Sequence, residues 1–129
     1  MLKRRRLPKP TEGELELLRV LWDRGSATVR ELYDEVNVTR PLGYTSVLKL
    51  LQIMAEKGLV TRTQDGRAHI YEAARTQQET TDQLLKDLSQ RLFAGSAAQL
   101  AMHALAMEPA SAEELKEIRA LIARREKSK

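Results

Sequence analysis

The sequence has no cysteine among its 129 residues. That absence excludes a disulfide framework, a thiolate metal centre and a cysteine nucleophile. Aromatic residues make up only 4% of the chain, which favours aliphatic helix packing over an aromatic-rich β-sandwich. The histidines are His69 and His103, and neither has a second His or a Cys at ligand spacing, as structural zinc requires. No apolar run approaches the roughly 18 residues of a membrane span, and no apolar segment of a secretion signal follows the arginine-rich start. A GxSxG elbow, a Walker loop and a GxGxxG turn are all missing. Acid pairs such as Glu113-Glu114 fall in the first turn of a helix, where the helix dipole accounts for them. The expectation is a soluble, cytoplasmic, non-enzymatic protein without cofactor, metal or membrane contact.

What is present is charge, and it is unevenly spread. The chain is 42% hydrophobic and 31% charged with a net charge of +4, so it can bury a core and attract an acidic partner. Residues 1–10 carry Lys3, Arg4, Arg5, Arg6 and Lys9 without an acid, a net +5. Residues 11–39 are acidic at −4, residues 40–71 basic at +3, and residues 76–129 balanced. A basic arm and a basic middle segment flanking an acidic stretch suit a nucleic-acid footprint. A solvated tail is the alternative for the arm.

Four helix starts share one signature, a Ser or Thr followed three residues later by Glu: Thr11/Glu14, Thr28/Glu31, Thr76/Glu79 and Ser111/Glu114. In such a box the hydroxyl accepts from an orphan amide while the carboxylate returns to the cap amide. The pattern predicts a first helix over about 12–24 burying Leu15, Leu18, Leu21 and Trp22, with Gly25 as its C-cap. A second helix is expected over 29–36 and a turn over 37–43, where Pro41 and Gly43 break the pattern. A third helix follows over about 44–57 and ends at Gly58. Strands are expected over 59–64 and 67–73, joined by Asp65-Gly66 as a type I′ hairpin turn. Helix, helix, turn, helix, hairpin is the order of a winged helix-turn-helix. The fold class is therefore mainly α with a small β-hairpin wing, followed by three C-terminal helices.

Those helices are expected over about 77–93, 97–107 and 112–125. Their stripes include Leu84, Leu88, Leu92 and Phe93, then Leu100 and Leu105, then Leu115, Ile118, Leu121 and Ile122. Three short helices are too small to bury such stripes alone, and a second copy of the chain would convert them into a shared core. The expected organisation is a basic arm over 1–10, a winged helix-turn-helix domain over 11–75 and a helical dimerisation domain over 76–129.

On the third helix, at about 100° per residue, Val47, Leu50, Leu51 and Met54 point to the core. Thr45, Lys49 and Gln52 lie opposite, with Leu48 and Ser46 on the shoulders and Tyr44 at the start. This face offers hydroxyls, a lysine for guanine or phosphate, a glutamine for adenine and an apolar group for a thymine methyl. Arg67 at the hairpin tip has the length to reach a phosphate or the minor groove. A winged helix that binds protein rather than DNA is the alternative, mildly favoured by the acidic early helices.

Five segments in order carry a family likeness: Leu17-Leu18-Arg19-Val20-Leu21-Trp22, Ala27-Thr28-Val29-Arg30-Glu31-Leu32, Tyr44-Thr45-Ser46-Val47-Leu48, Glu56-Lys57-Gly58-Leu59-Val60 and Asp65-Gly66-Arg67-Ala68-His69-Ile70-Tyr71. With Asp87 to Ser96 added, the chain resembles the penicillinase-repressor (BlaI/MecI/CopY) family over roughly residues 10–125. The resemblance implies a cytoplasmic dimeric repressor on an inverted-repeat DNA operator. It places Thr45, Ser46, Leu48 and Lys49 on the recognition helix and Arg67 on the wing. The family's copper-responsive branch relies on a C-terminal cysteine motif, which this chain lacks. Some members are inactivated by a sensor protease that cuts between an asparagine and a phenylalanine in the middle dimerisation helix. That bond aligns with His103-Ala104, and neither residue matches.

Overall fold

The computed structural model describes residues 8–39 and 41–128. Lys3, Arg4, Arg5 and Arg6 of the basic arm lie outside the described residues, as does Arg40. The elements are α1 (Glu12–Arg24), β1 (Ala27–Thr28), α2 (Val29–Thr39), α3 (Tyr44–Lys57), β2 (Val60–Asp65), β3 (Ala68–Ala73), α4 (Gln77–Phe93), α5 (Ala97–Met107) and α6 (Ala112–Lys127). The chain divides into two compact units between Leu84 and Leu85, inside α4.

All four capping boxes form. Thr11, Thr28, Thr76 and Ser111 each accept from the amide three residues on, at 3.0–3.3 Å, and each donates its own amide to the matching glutamate at 2.9 Å. The backbone hydrogen bond from Thr28 holds the Glu31 carboxyl below its ordinary value, with Arg24 adding to the effect. The Thr76 amide does the same for Glu79. A donated amide proton favours the charged carboxylate, so each cap is strongest when its acid is ionised.

The first unit contains a hydrophobic core built from α1, α2, α3 and the sheet. Leu17, Leu18 and Leu21 meet Leu32, Val36, Val47, Leu51, Met54 and Tyr71, with Ala27, Leu59 and Val60 closing the cluster. Leu17 is fully buried, whereas Leu15 and Trp22 are half-buried. Trp22 instead uses its indole N–H to hold the Arg75 carbonyl at 2.9 Å.

Three details differ from the sequence expectation. α2 extends three residues past Val36, because Asn37 ties the turn to the helix. Its amide donates to the carbonyls of Tyr33 and Leu42, and its Oδ1 accepts from the Leu42 amide. A two-residue strand, β1, adds to the hairpin in the order β1-β3-β2, pairing Ala27 with Tyr71 and Thr28 with Ile70. Two residues are too few to show an alternating pattern.

The third difference is the hairpin turn, which is Gly66-Arg67. Asp65 pairs with Ala68, φ is +64° at Gly66, and Arg67 is not among the positive-φ residues. A type I′ turn needs positive φ at both central positions, whereas glycine first and a negative φ second is the II′ pattern. In this register Val60 lies opposite Ala73 and Asp65 opposite Ala68, with Val60 and Tyr71 on one face of the ladder.

In the second unit, α5 and α6 contain no buried residue. Leu92 is 64% exposed, Leu121 50% and Ile122 51%. Among the described residues, no helix is long and apolar enough to cross a membrane.

Candidate nucleic-acid interface

The geometry of α3 follows from its core side. Val47, Leu51 and Met54 are fully buried, which at about 100° per residue fixes the opposite side outward. Thr45, Ser46, Lys49 and Gln52 are all exposed, Leu48 is half-buried and Tyr44 is 42% exposed. The structure therefore brings the expected recognition residues to one face. It adds Glu56, exposed on the same side in the last turn, an acid whose charge is unfavourable to a polyanion at that end of the helix.

Both ends of α3 are anchored. At its start, the Tyr44 ring meets the Tyr33 ring edge-on, with centroids 5.5 Å apart, and Asn37 fixes the preceding turn. Midway, α1 comes so close that a Cβ on Gly13 would lie 3.4 Å from Leu50 Cδ1. At its end, Lys57 Nζ donates to both oxygens of Glu14, at 2.9 and 3.0 Å, with Glu14 only 2% exposed. Lys57 contributes to the positive charge of residues 40–71, but the structure commits it to Glu14 of α1. The Thr11/Glu14 box was legible, but nothing near Glu14 in sequence marks Lys57 as its partner.

Arg67 lies in the exposed hairpin loop, and Arg62 lies exposed on β2, opposite Tyr71 in the ladder. Among the described residues Lys49, Arg62 and Arg67 form no ion pair. Arg24, by contrast, is held by Glu31 at 2.9 Å and Glu35 at 3.5 Å. Glu31 and Glu35 of α2 are thus grouped around Arg24, whereas Lys49 on α3 and Arg62 and Arg67 on the hairpin keep exposed charges. His69 is half-buried in β3, and no group of three or more metal-ligating side chains occurs among the described residues.

The expected interface residues of the second unit lie on exposed or half-exposed faces. Leu88, Leu92, Leu105, Leu115, Leu121 and Ile122 are exposed, while Phe93, Leu100 and Ile118 are half-buried. Leu84, at the edge of the first unit, is also half-buried. A groove of about 510 Å³ between α5 and α6 is lined by Ala104, Leu105, Pro109, Ile118 and Leu121, among others.

A helix-turn-helix whose second helix presents a polar face beside a β-hairpin carrying Arg62 and Arg67 defines a winged helix-turn-helix protein. Residues 10–124 match the family described as penicillinase repressor, and the chain belongs to that family. It is 36% identical over 88 residues to the transcriptional regulator BlaI of Mycobacterium tuberculosis, covering 65% of this chain and 64% of that protein. It is 20% identical over 114 residues to the penicillinase repressor of Bacillus licheniformis, covering 88% and 89%. Its fold is similar to that of monomeric Bacillus licheniformis BlaI in complex with the blaP half-operator. That likeness has a TM-score of 0.51 at 22% identity and covers 57% of this chain and 90% of that one. The chain spans about 64% of the length of its mycobacterial relative.

Proposed function

We propose that this chain is a homodimeric, cytoplasmic transcriptional repressor that binds an inverted-repeat operator in double-stranded DNA. The observation that carries the reading is the outward face of α3, whose Thr45, Ser46, Lys49 and Gln52 are exposed together while both helix ends are anchored. An anchored polar helix is what base readout in a major groove requires, and unpaired basic groups on the adjacent wing supply phosphate contacts. In this reading residues 11–75 bind DNA, with Leu48 and Tyr44 flanking the reading face and Arg67 on the backbone or minor groove. Residues 76–129 hold the dimer through the apolar faces of α4, α5 and α6. Two copies then present two α3 helices to two half-sites, which is the symmetry of an inverted repeat.

The acidic surface of α2, with Val38 81% exposed beside it, favours a protein partner as the second reading. Fluorescence anisotropy with a duplex taken from beside the chain's own gene, titrated across salt, separates the two. The repressor reading expects binding that weakens steeply with salt and exceeds binding to an unrelated duplex. Equal or negligible binding to both duplexes favours the protein partner.

A further inference from the structure

Among the described residues, α2 contributes a single basic side chain to the helix-turn-helix. Arg30 occupies the first turn of α2, and its guanidinium carbon sits 5.7 Å from the centroid of the Tyr33 ring. Tyr33 in turn meets Tyr44 edge-on at 5.5 Å, so two ring contacts connect Arg30 to the start of the recognition helix. At about 100° per residue, Arg30, Tyr33 and Asn37 fall within about 60° of one another on α2. Tyr33 and Asn37 both contact the turn or α3, which puts this stripe on the flank of α2 beside the recognition helix. The acids Glu31 and Glu35 lie further round and are taken up by Arg24.

The state of the guanidinium itself is informative. Its ion pair with Asp34 uses Nε at 3.4 Å, between side chains 71% and 60% exposed. A long, exposed pair of this kind adds little stability. The two terminal nitrogens form no hydrogen bond among the described residues. A guanidinium laid on an aromatic face, with its terminal fork open to solvent, is pre-organised for the paired oxygens of a phosphate. In a helix-turn-helix, the first helix crosses the DNA backbone while the second enters the groove.

We propose that Arg30 is a phosphate-binding residue of the DNA interface, oriented by Tyr33 and restrained by Asp34. The proposal rests on the DNA-binding reading above and adds a backbone contact flanking the groove that α3 enters. The contact is blind to sequence, because phosphates carry no base identity. Arg30 therefore adds affinity for every duplex.

The test is anisotropy on the full chain and its Arg30→Ala and Asp34→Asn variants, with the duplex from beside its own gene and an unrelated duplex of equal length. Circular dichroism checks that the variants fold, which is expected because both side chains are mostly exposed. Loss of one phosphate contact lowers the salt slope by about 0.9. The affinity ratio of wild type to Arg30→Ala should then shrink by about 3.5-fold between 50 and 200 mM salt, on both duplexes. Asp34→Asn should raise affinity at low salt for both. A salt slope unchanged in Arg30→Ala, while wild type binds with a steep slope, overturns the role of Arg30 and leaves the repressor reading standing. A wild-type chain that binds neither duplex overturns both.

Discussion

Lys57, in the last turn of α3, donates to both oxygens of Glu14, in the first turn of α1, and Glu14 is buried while Lys57 remains 28% exposed. The pair ties the capping box of one helix to the end of another. Its two members do not stand in equal danger when separated. A lysine left alone can swing its ammonium to water, whereas the carboxylate cannot leave.

The first prediction follows from that asymmetry. Lys57→Met should destabilise the protein by about 3–5 kcal/mol, the cost of an unpaired buried charge. Glu14→Gln, which still accepts from the Thr11 amide, should cost less. Urea denaturation of both variants at neutral pH checks the order, and a larger loss for Glu14→Gln would contradict it.

Acid sensitivity is the second. Glu31 and Glu79 have carboxyl values depressed below the ordinary 4.5 by the amides of Thr28 and Thr76. A depressed folded value means the stabilisation is complete above the ordinary value and is lost as pH falls through the folded one. The stability gap between wild type and a Glu31→Gln/Glu79→Gln variant should therefore be present at pH 7 and close progressively below about 4.5. A gap constant from pH 7 to pH 3 would count against the caps as its source.

Recognition gives the third. Lys49→Ala should cost about 1–3 kcal/mol of operator binding and relax base preference, as expected of a residue reading a base edge. Arg67→Ala should weaken all duplexes alike and reduce the salt slope by about one unit. Anisotropy on matched and mutated duplexes distinguishes the two, and identical behaviour of the variants would remove the division of labour between helix and wing.

How much of this was legible in the sequence depends on the range of the interaction. The four capping boxes span three residues each, and so the starts of α1, α2, α4 and α6 could be read directly. α3 also stood out, with apolar residues on one side and Thr45, Lys49 and Gln52 on the other. The hairpin was legible but its turn was displaced by one residue. Asp65-Gly66 and Gly66-Arg67 are both acceptable pairs, and their registers differ by two residues, so Val60 and Tyr71 share a face in either one and the alternating pattern does not choose between them. The Glu14–Lys57 pair spans 43 residues and leaves no local signal. Asn37 falls in the turn expected over 37–43, because only the fold shows which carbonyls its amide reaches and so extends α2 through it.

The fourth prediction concerns assembly. α5 and α6 contain no buried residue, and the proposed dimer would cover the apolar faces of the C-terminal helices. Leu88→Glu with Leu92→Glu in the full chain should shift sedimentation from dimer to monomer and weaken operator binding, while leaving the core of the first unit intact. A double variant that remains dimeric would relocate the interface.

The fifth concerns release of repression. His103 and Ala104 lie within α5, and a helix must open before a protease accepts it as an extended strand. A protease that requires a phenylalanine after the cut meets only a methyl group, forfeiting a few kcal/mol of pocket binding, roughly the burial of one large apolar side chain. Mass spectrometry of protein from induced cells should find no fragment ending at His103. Finding one would identify that bond as the release site.

A dimer that reads two half-sites through α3 is tested by footprinting on the DNA beside the chain's own gene. Such a dimer should protect an inverted repeat whose half-site centres are about 10 bp apart or a multiple of that spacing. Protection should be lost in Lys49→Ala at concentrations where wild type saturates. Uniform protection without a repeat, or a footprint indifferent to Lys49, would contradict it.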